Sequence, residues 1–166
     1  MFQRILVPTD GSRVSRACAE QAVAFARAAR ASVLALYVAS PAHSENYGDF
    51  VQPGALDRLS SDGDAKAKDY LGFVRKLCKE AQVDCMVLVV QSDSPWEAIV
   101  NTAEDHACDL IFMAKHSRSG LSALLIGSQT YRVLANSSIP VLVYRSGGSA
   151  AGCSGDKAKH GERRRK

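Results

Sequence analysis

Short apolar runs alternate along this chain with segments of helical periodicity, and that alternation limits the fold more than any other feature. Arg4–Pro8, Ser32–Val38, Asp84–Val90, Asp109–Met113 and Ile139–Tyr144 read as strands. Between the first two, Val14, Ala17, Cys18, Ala22, Phe25, Ala26 and Ala29 recur at helical spacing. Ala67, Tyr70, Leu71, Val74, Leu77, Cys78 and Ala81 form a second such stripe, and further helices are predicted from Ser94 to about His106 and from Ser128 to about Ala135. Strand and helix in regular succession imply helices that cross over between parallel strands, hence an open α/β sheet covered on both faces. The strands are apolar without alternation, as strands buried on both faces should be. Ligands of such sheets sit beyond the carboxyl ends of the strands, where the strand order reverses. The loops after the first and fourth strands are therefore the places to look for chemistry.

Local signals agree with these elements. Ser12 is a good N-cap for the first helix. Ser94-Pro95-Trp96-Glu97 predicts a helix start in which Ser94 caps, Pro95 takes the first helical position and Glu97 closes a capping box. From Ser40 to about Gly63 the chain reads as a loop, with Pro41, Gly48, Pro53 and Gly54. Loops of that length in compact domains are usually functional or mobile.

At 166 residues the chain has room for one domain with a substantial core. Apolar runs such as Cys85–Val90 fall far short of the ~18 residues of a membrane span. The run after Arg4 stops at Pro8, too short for a signal-peptide core, so a cytoplasmic protein is expected. The net charge of +4 is carried entirely by residues 146–166, where Lys157, Lys159, Arg163, Arg164, Arg165 and Lys166 stand against Asp156 and Glu162. Residues 1–145 are neutral, so neither a nucleic acid nor a membrane is expected as a partner of the folded part. The Gly- and Ser-containing stretch 146–166 reads as a disordered basic tail. It is suited to loose contact with RNA or anionic lipid, or to passive solubilisation, which needs no partner. Five cysteines, Cys18, Cys78, Cys85, Cys108 and Cys153, form no C-x-x-C pair. Four lie in apolar-periodic segments, where a thiol acts as a small hydrophobe, and Cys153 lies in the tail.

Two loops carry the candidate chemistry. Pro8-Thr9-Asp10-Gly11-Ser12 follows the first strand. Asp10 is placed to accept hydrogen bonds from a base or a ribose, or, more simply, to satisfy N–H groups at the helix start together with Ser12. After the fourth strand a polar segment containing Lys115, His116, Ser117 and Arg118 runs to Gly127-Ser128, which opens the last helix. A helix N-terminus carries roughly half a positive charge and suits phosphate. The same Gly-Ser is also an ordinary cap. His116 either assists phosphate or has no special role. Trp96, Tyr37 and Phe112 are most simply packing residues.

Pro8-Thr9-Asp10-Gly11-Ser12, Met113-Ala114-Lys115-His116-Ser117, Gly127-Ser128 and Ile139-Pro140-Val141-Leu142-Val143, in that order and spacing, resemble the universal stress protein family over residues 3–145. The resemblance implies an α/β fold with an open five-stranded parallel sheet of order 3-2-1-4-5, helices on both faces, in a domain spanning 1–145. It implies a homodimer through the last strand, Ile139–Tyr144, and a cytoplasmic role in stress response. In one subgroup it implies ATP as ligand, with or without Mg. That subgroup carries G-x-x-G, nine residues, then G-S/T. Here Gly127-Ser128 matches, whereas Ala114 and Ser117 replace the first two glycines. Carried over residue by residue, Asp10 and Val38 would meet the adenine, and Pro8 and Thr9 would belong to the same nucleotide-binding set. Met113 and Ala114 would flank the ribose, and Ser117, Gly127, Ser128 and Gln129 would cradle phosphates. Serine at 117 carries a steric cost if the backbone there needs positive φ or very close approach.

Other classes fit less well. A phosphorylatable receiver needs paired acidic residues after strand one and a lysine after strand five, where this chain has Arg145-Ser146. There is no G-x-G-x-x-G, no nucleophile elbow and no metal-spaced histidine pair. Nothing in the sequence offers a general base or nucleophile for rapid turnover, so at most slow ATP hydrolysis or serine autophosphorylation is expected. The alternative, favoured by Ala114 and Ser117, is a nucleotide-free dimeric adaptor acting through protein–protein contacts.

Overall fold

Ten elements follow one another in the computed structural model: β1 (Arg4–Pro8), α1 (Arg13–Ala29), β2 (Ser32–Ala39), β3 (Phe50–Val51), α2 (Asp62–Ala81), β4 (Cys85–Gln91), α3 (Pro95–Asp105), β5 (Leu110–Ala114), α4 (Ser128–Asn136) and β6 (Val141–Tyr144). The structure describes residues 1–40, 50–51, 62–115 and 127–145. The tail from 146, and with it the boundary expected at 145, lies outside them, as do His116, Ser117 and Arg118.

The sheet runs β3-β4-β2-β1-β5-β6. Its five parallel strands are thus in the order 3-2-1-4-5 when counted along the chain. β1 is central, with Ile5 level with Val33 on one side and with Leu110 on the other. One strand was not expected. Inside the stretch read as loop, Phe50–Val51 pairs antiparallel with Val89 and Leu88 of β4. Two residues are too few to raise a periodic signal.

Consecutive strand residues point to opposite faces, which splits the core in two. Ile5, Val7, Val33, Ala35, Val87, Val89, Leu110 and Phe112 meet α1 and α2, through Cys18, Ala22, Ala26, Ala67, Leu71, Val74 and Cys78. Leu6, Leu34, Leu36, Leu88, Ile111 and Met113 meet Ile99, Val100 and Ala103 of α3 and Val133 of α4. Ile5 and Leu6 are both fully buried, though adjacent, so each side of β1 contributes about 1.5–3 kcal/mol per large side chain.

Three of the helices end alike. Arg30, Gln82 and Ala107 adopt left-handed φ of 56°, 56° and 50° just beyond α1, α2 and α3. The next N–H then reaches back across the last turn: Ala31 to the Ala26 carbonyl, Val83 to Cys78 and Cys108 to Ala103, at 2.8–2.9 Å. These are Schellman-type stops made without glycine.

The starts differ. Ser12 caps α1 as expected, its hydroxyl accepting from the Ser15 N–H at 3.1 Å. Ser94 precedes α3 but makes no side-chain cap bond, so the expected capping box does not form there. Its own N–H is taken by the Ser92 hydroxyl at 3.0 Å, which commits Ser94 to the preceding turn. The last strand starts at Val141 rather than Ile139. Pro140 has no N–H, and the Ile139 N–H is held by the Ser137 hydroxyl at 3.1 Å.

Candidate functional site

The turn after β1 is a closed hydrogen-bonded unit. The Thr9 N–H donates to the Leu36 carbonyl at 2.8 Å, extending the β1–β2 ladder one residue past the strand. Below it, the buried Thr9 and Ser15 hydroxyls share a hydrogen bond of 2.9 Å. The Asp10 N–H donates to Ser15 Oγ and the Gly11 N–H to Thr9 Oγ1, each at 3.3 Å. Asp10 Oδ1 accepts the Ser12 N–H at 3.0 Å, a side-chain turn that holds the carboxylate at the exposed top of the loop. The geometry shows the simpler reading of Asp10. It stabilises the helix start, and it stands exposed beyond the carboxyl end of the central strand.

A third element braces this turn. Gly11 has φ +72° and lies against the ring of Tyr70 on α2. Tyr70 packs edge-on to Tyr37 at the end of β2, centroids 5.4 Å apart. Arg16 Nε donates to the Gly11 carbonyl at 3.2 Å, while the same guanidinium pairs with Asp69 at 2.6 Å and covers the Phe73 ring at 4.8 Å. The Tyr37 hydroxyl is held above its ordinary pKa by burial first, then by Tyr70 and Asp10, which places Asp10 within electrostatic reach of β2.

On the far side of β1, β5 delivers Met113 and Ala114, both buried. As strand neighbours they face opposite ways. Met113 joins the α3/α4 cluster, against which Val38 of β2 also packs. Ala114 turns its methyl into the α1-side cluster. So Val38 and Met113 flank the end of β1 on one face, while Ala114 offers its backbone. The Ala114 methyl is absorbed by core.

The Ala114 carbonyl accepts from the buried Thr130 hydroxyl at 3.2 Å, which fastens the first turn of α4 to the end of β5. Gly127 is the N-cap of α4 and has no side chain to cap with; Ser128 and Gln129 follow it, exposed. No acidic residue lies in that first turn. Gln129 Oε1 accepts the Trp96 N–H at 3.2 Å, so it serves the start of α3 and sets the two helix N-termini side by side. Trp96 packs against the α3/α4 cluster, as expected of a packing residue.

The structure thus brings Pro8, Thr9, Asp10, Val38, Met113, Ala114, Gly127, Ser128 and Gln129 to one edge of the sheet, at the carboxyl ends of β1, β2 and β5. Ser117 lies outside the described residues. Sequence reasoning missed Ser15, Arg16, Tyr70 and Thr130. Ser15 and Thr130 had a faint signal, a hydroxyl on the buried side of a helix. Arg16 and Tyr70 had none, because their partners come from other elements.

A model of the universal stress protein family matches residues 1–145. A universal stress protein of Methanocaldococcus jannaschii, MJ0531, is 30% identical over 145 residues, covering 87% of this chain and 83% of that protein. Among solved structures, MJ0577 is 26% identical with a TM-score of 0.69 over 90% of this chain and 99% of that one. A universal stress protein in complex with cAMP is also 26% identical, with a TM-score of 0.65 over 86% of this chain and 97% of that one.

Proposed function

This chain belongs to the universal stress protein family, and from that membership we propose that it is a receptor for an adenine nucleotide, ATP in the first instance, acting as a homodimeric stress-response regulator in the cytoplasm. The observation that carries the reading is the placement of the Asp10 turn and the α4 N-terminus on adjacent strands, β1 and β5, where the strand order reverses. Topological reversals of this kind are where open α/β sheets hold nucleotides. The solved relative that carries cAMP supports the same ligand class.

In this reading Asp10 and Val38 meet the base and Met113 lies beside the ribose. The backbone N–H groups of Gly127, Ser128 and Gln129 receive phosphate at a helix start free of acidic side chains. Ala114 contributes its backbone, and Ser117 completes the phosphate cradle. β6 is the edge of the sheet and all four of its residues are half-buried in the single chain. A second copy laid along that edge would cover them.

Isothermal titration of the full chain with Mg-ATP, cAMP and AMP tests the ligand. We expect saturable heat with at least one of them, and its loss in Gly127→Asp, which sets a carboxylate against the phosphates. No heat and no thermal shift at millimolar nucleotide removes the receptor and leaves the adaptor. Light scattering tests the assembly separately. A monomer at micromolar concentration removes the β6 dimer.

A further inference from the structure

Ser94 stands at the N-cap of α3 without a side-chain cap bond, and Pro95 at the first helical position brings no N–H. The first N–H of the helix is therefore that of Trp96, a donor that a cap side chain ordinarily takes. Here another helix supplies the acceptor: Gln129 Oε1 receives the Trp96 N–H at 3.2 Å. The start of α3 is thus capped from the first turn of α4.

α4 is short and shallowly seated. Of its nine residues only Thr130 and Val133 are buried, while Tyr131 and Leu134 lie exposed. A helix of that length is marginal unless tertiary contacts hold it. Gly127 gives it no side-chain cap. Two bonds fasten its first turn instead, from neighbouring residues: Thr130 to the Ala114 carbonyl of β5 and Gln129 to Trp96 of α3, each at 3.2 Å. Successive side chains on a helix point about 100° apart, so the two ties run to different elements and together fix the rotation of α4 about its axis. That rotation sets where the N–H groups of Ser128 and Gln129 aim. The two helix starts also lie within one side chain of each other. Each carries roughly half a positive charge, so bare they would repel. The Gln129 oxygen offsets that repulsion on the α3 side, and a phosphate at α4 would offset it on the other.

We propose that Gln129 is a positioning residue of the phosphate site, aiming the α4 start through the Trp96 N–H and passing phosphate occupancy on to the start of α3. This deepens the nucleotide reading and rests on it. The side chain of Gln129 serves α3, and only its backbone N–H faces phosphate. Phosphate on the first turn of α4 favours the rotation in which the Trp96 N–H is bonded. The first turn of α3 then tightens, and the half-buried Trp96 indole settles deeper into the α3/α4 cluster.

Trp96 is the one tryptophan of the chain, so tryptophan emission reads this position alone. The full chain, Gln129→Ala and Gln129→Glu are titrated with Mg-ATP, AMP and cAMP, by calorimetry and by emission. Gln129 is exposed, so neither substitution opens the core, and circular dichroism checks the fold. In the parent, nucleotide should shift the emission to the blue along the same saturation curve as the heat. Gln129→Ala should emit further to the red at rest and bind roughly 2- to 10-fold more weakly, the worth of about one hydrogen bond. At saturation its emission should no longer move. Gln129→Glu keeps the acceptor and its reach. It should restore the resting emission and the blue shift, while its charge weakens Mg-ATP more than AMP. Heat without an emission shift in the parent would overturn the proposal and leave the nucleotide reading standing. So would a full blue shift or parental affinity in Gln129→Ala, or no restored shift in Gln129→Glu. No heat from the parent with any of the three nucleotides removes both.

Discussion

Replacing Gly11 with alanine should destabilise the fold by an amount the structure allows to be worked out in two parts. Gly11 stands at φ +72°, where a side chain costs about 1–2 kcal/mol. A Cβ there would lie 2.0, 2.1 and 2.5 Å from Cε1, Cδ1 and Cζ of Tyr70, far inside contact distance. Tyr70 does not yield cheaply. Its ring is stacked edge-on against Tyr37, and its helix is anchored by the fully buried Ala67 and Leu71. Overpacking of this kind costs about 1–3 kcal/mol. The sum is about 2–5 kcal/mol, and at roughly 2–4 °C per kcal/mol the melting temperature should fall by about 4–20 °C. Urea denaturation of Gly11→Ala, Tyr70→Ala and the double variant separates the parts. With the ring gone, the Gly11→Ala step should shrink to the backbone cost of about 1–2 kcal/mol, leaving a coupling of about 1–3 kcal/mol. A single variant within about 0.5 kcal/mol of the parent, or a cycle with no coupling, would refute the claim that α2 braces the Asp10 turn.

Thr130→Val keeps the shape of the side chain but removes the hydroxyl that reaches the Ala114 carbonyl, at a residue 1% exposed. It should cost about 1–2 kcal/mol in urea and weaken nucleotide binding measured by titration, because α4 loses its tie to β5. Ala107→Gly should stabilise by up to about 1 kcal/mol in the same assay, since its φ of 50° strains any side chain; a loss of stability would show that the helix stop is held by other means. Cys18 is raised from 9.0 to about 12 by burial, so above pH 9 the unfolded chain ionises while the folded one keeps its proton. The contribution is intact below pH 9 and lost as pH climbs toward 12, at up to about 1.4 kcal/mol per pH unit. Denaturation in the alkaline range should show a shallower fall for Cys18→Ala than for the parent. Equal slopes would mean that Cys18 is not the group responsible.

Much of this was readable beforehand because the signals are local. The stripe from Val14 to Ala29 and the run at Ser32–Val38 carry their period within the segment itself, and α1 and β2 appear there within a residue or two. The Ser12 cap was readable for the same reason, since its partner is three residues away. Ser94 had the same local credentials yet makes no side-chain cap bond, and its N–H, which Glu97 would take in a capping box, is held by the Ser92 hydroxyl instead. The stops of α1, α2 and α3 were hidden, since Arg30, Gln82 and Ala107 do not advertise a left-handed turn as glycine does.

By itself the amino-acid order determined the class of the fold, the β1-to-α1 turn and the chemical character of the Gly127-Ser128 helix start. Each depends on periodicity or on neighbours within one turn. Only the tertiary structure decided what surrounds them: Tyr70 beneath Gly11, Gln129 serving the N-terminus of α3 across 33 positions of chain, and Thr130 holding Ala114 across 16. Such contacts are set by which helix crosses over which face of the sheet, and a crossover joins residues whose separation along the chain carries no trace of the meeting.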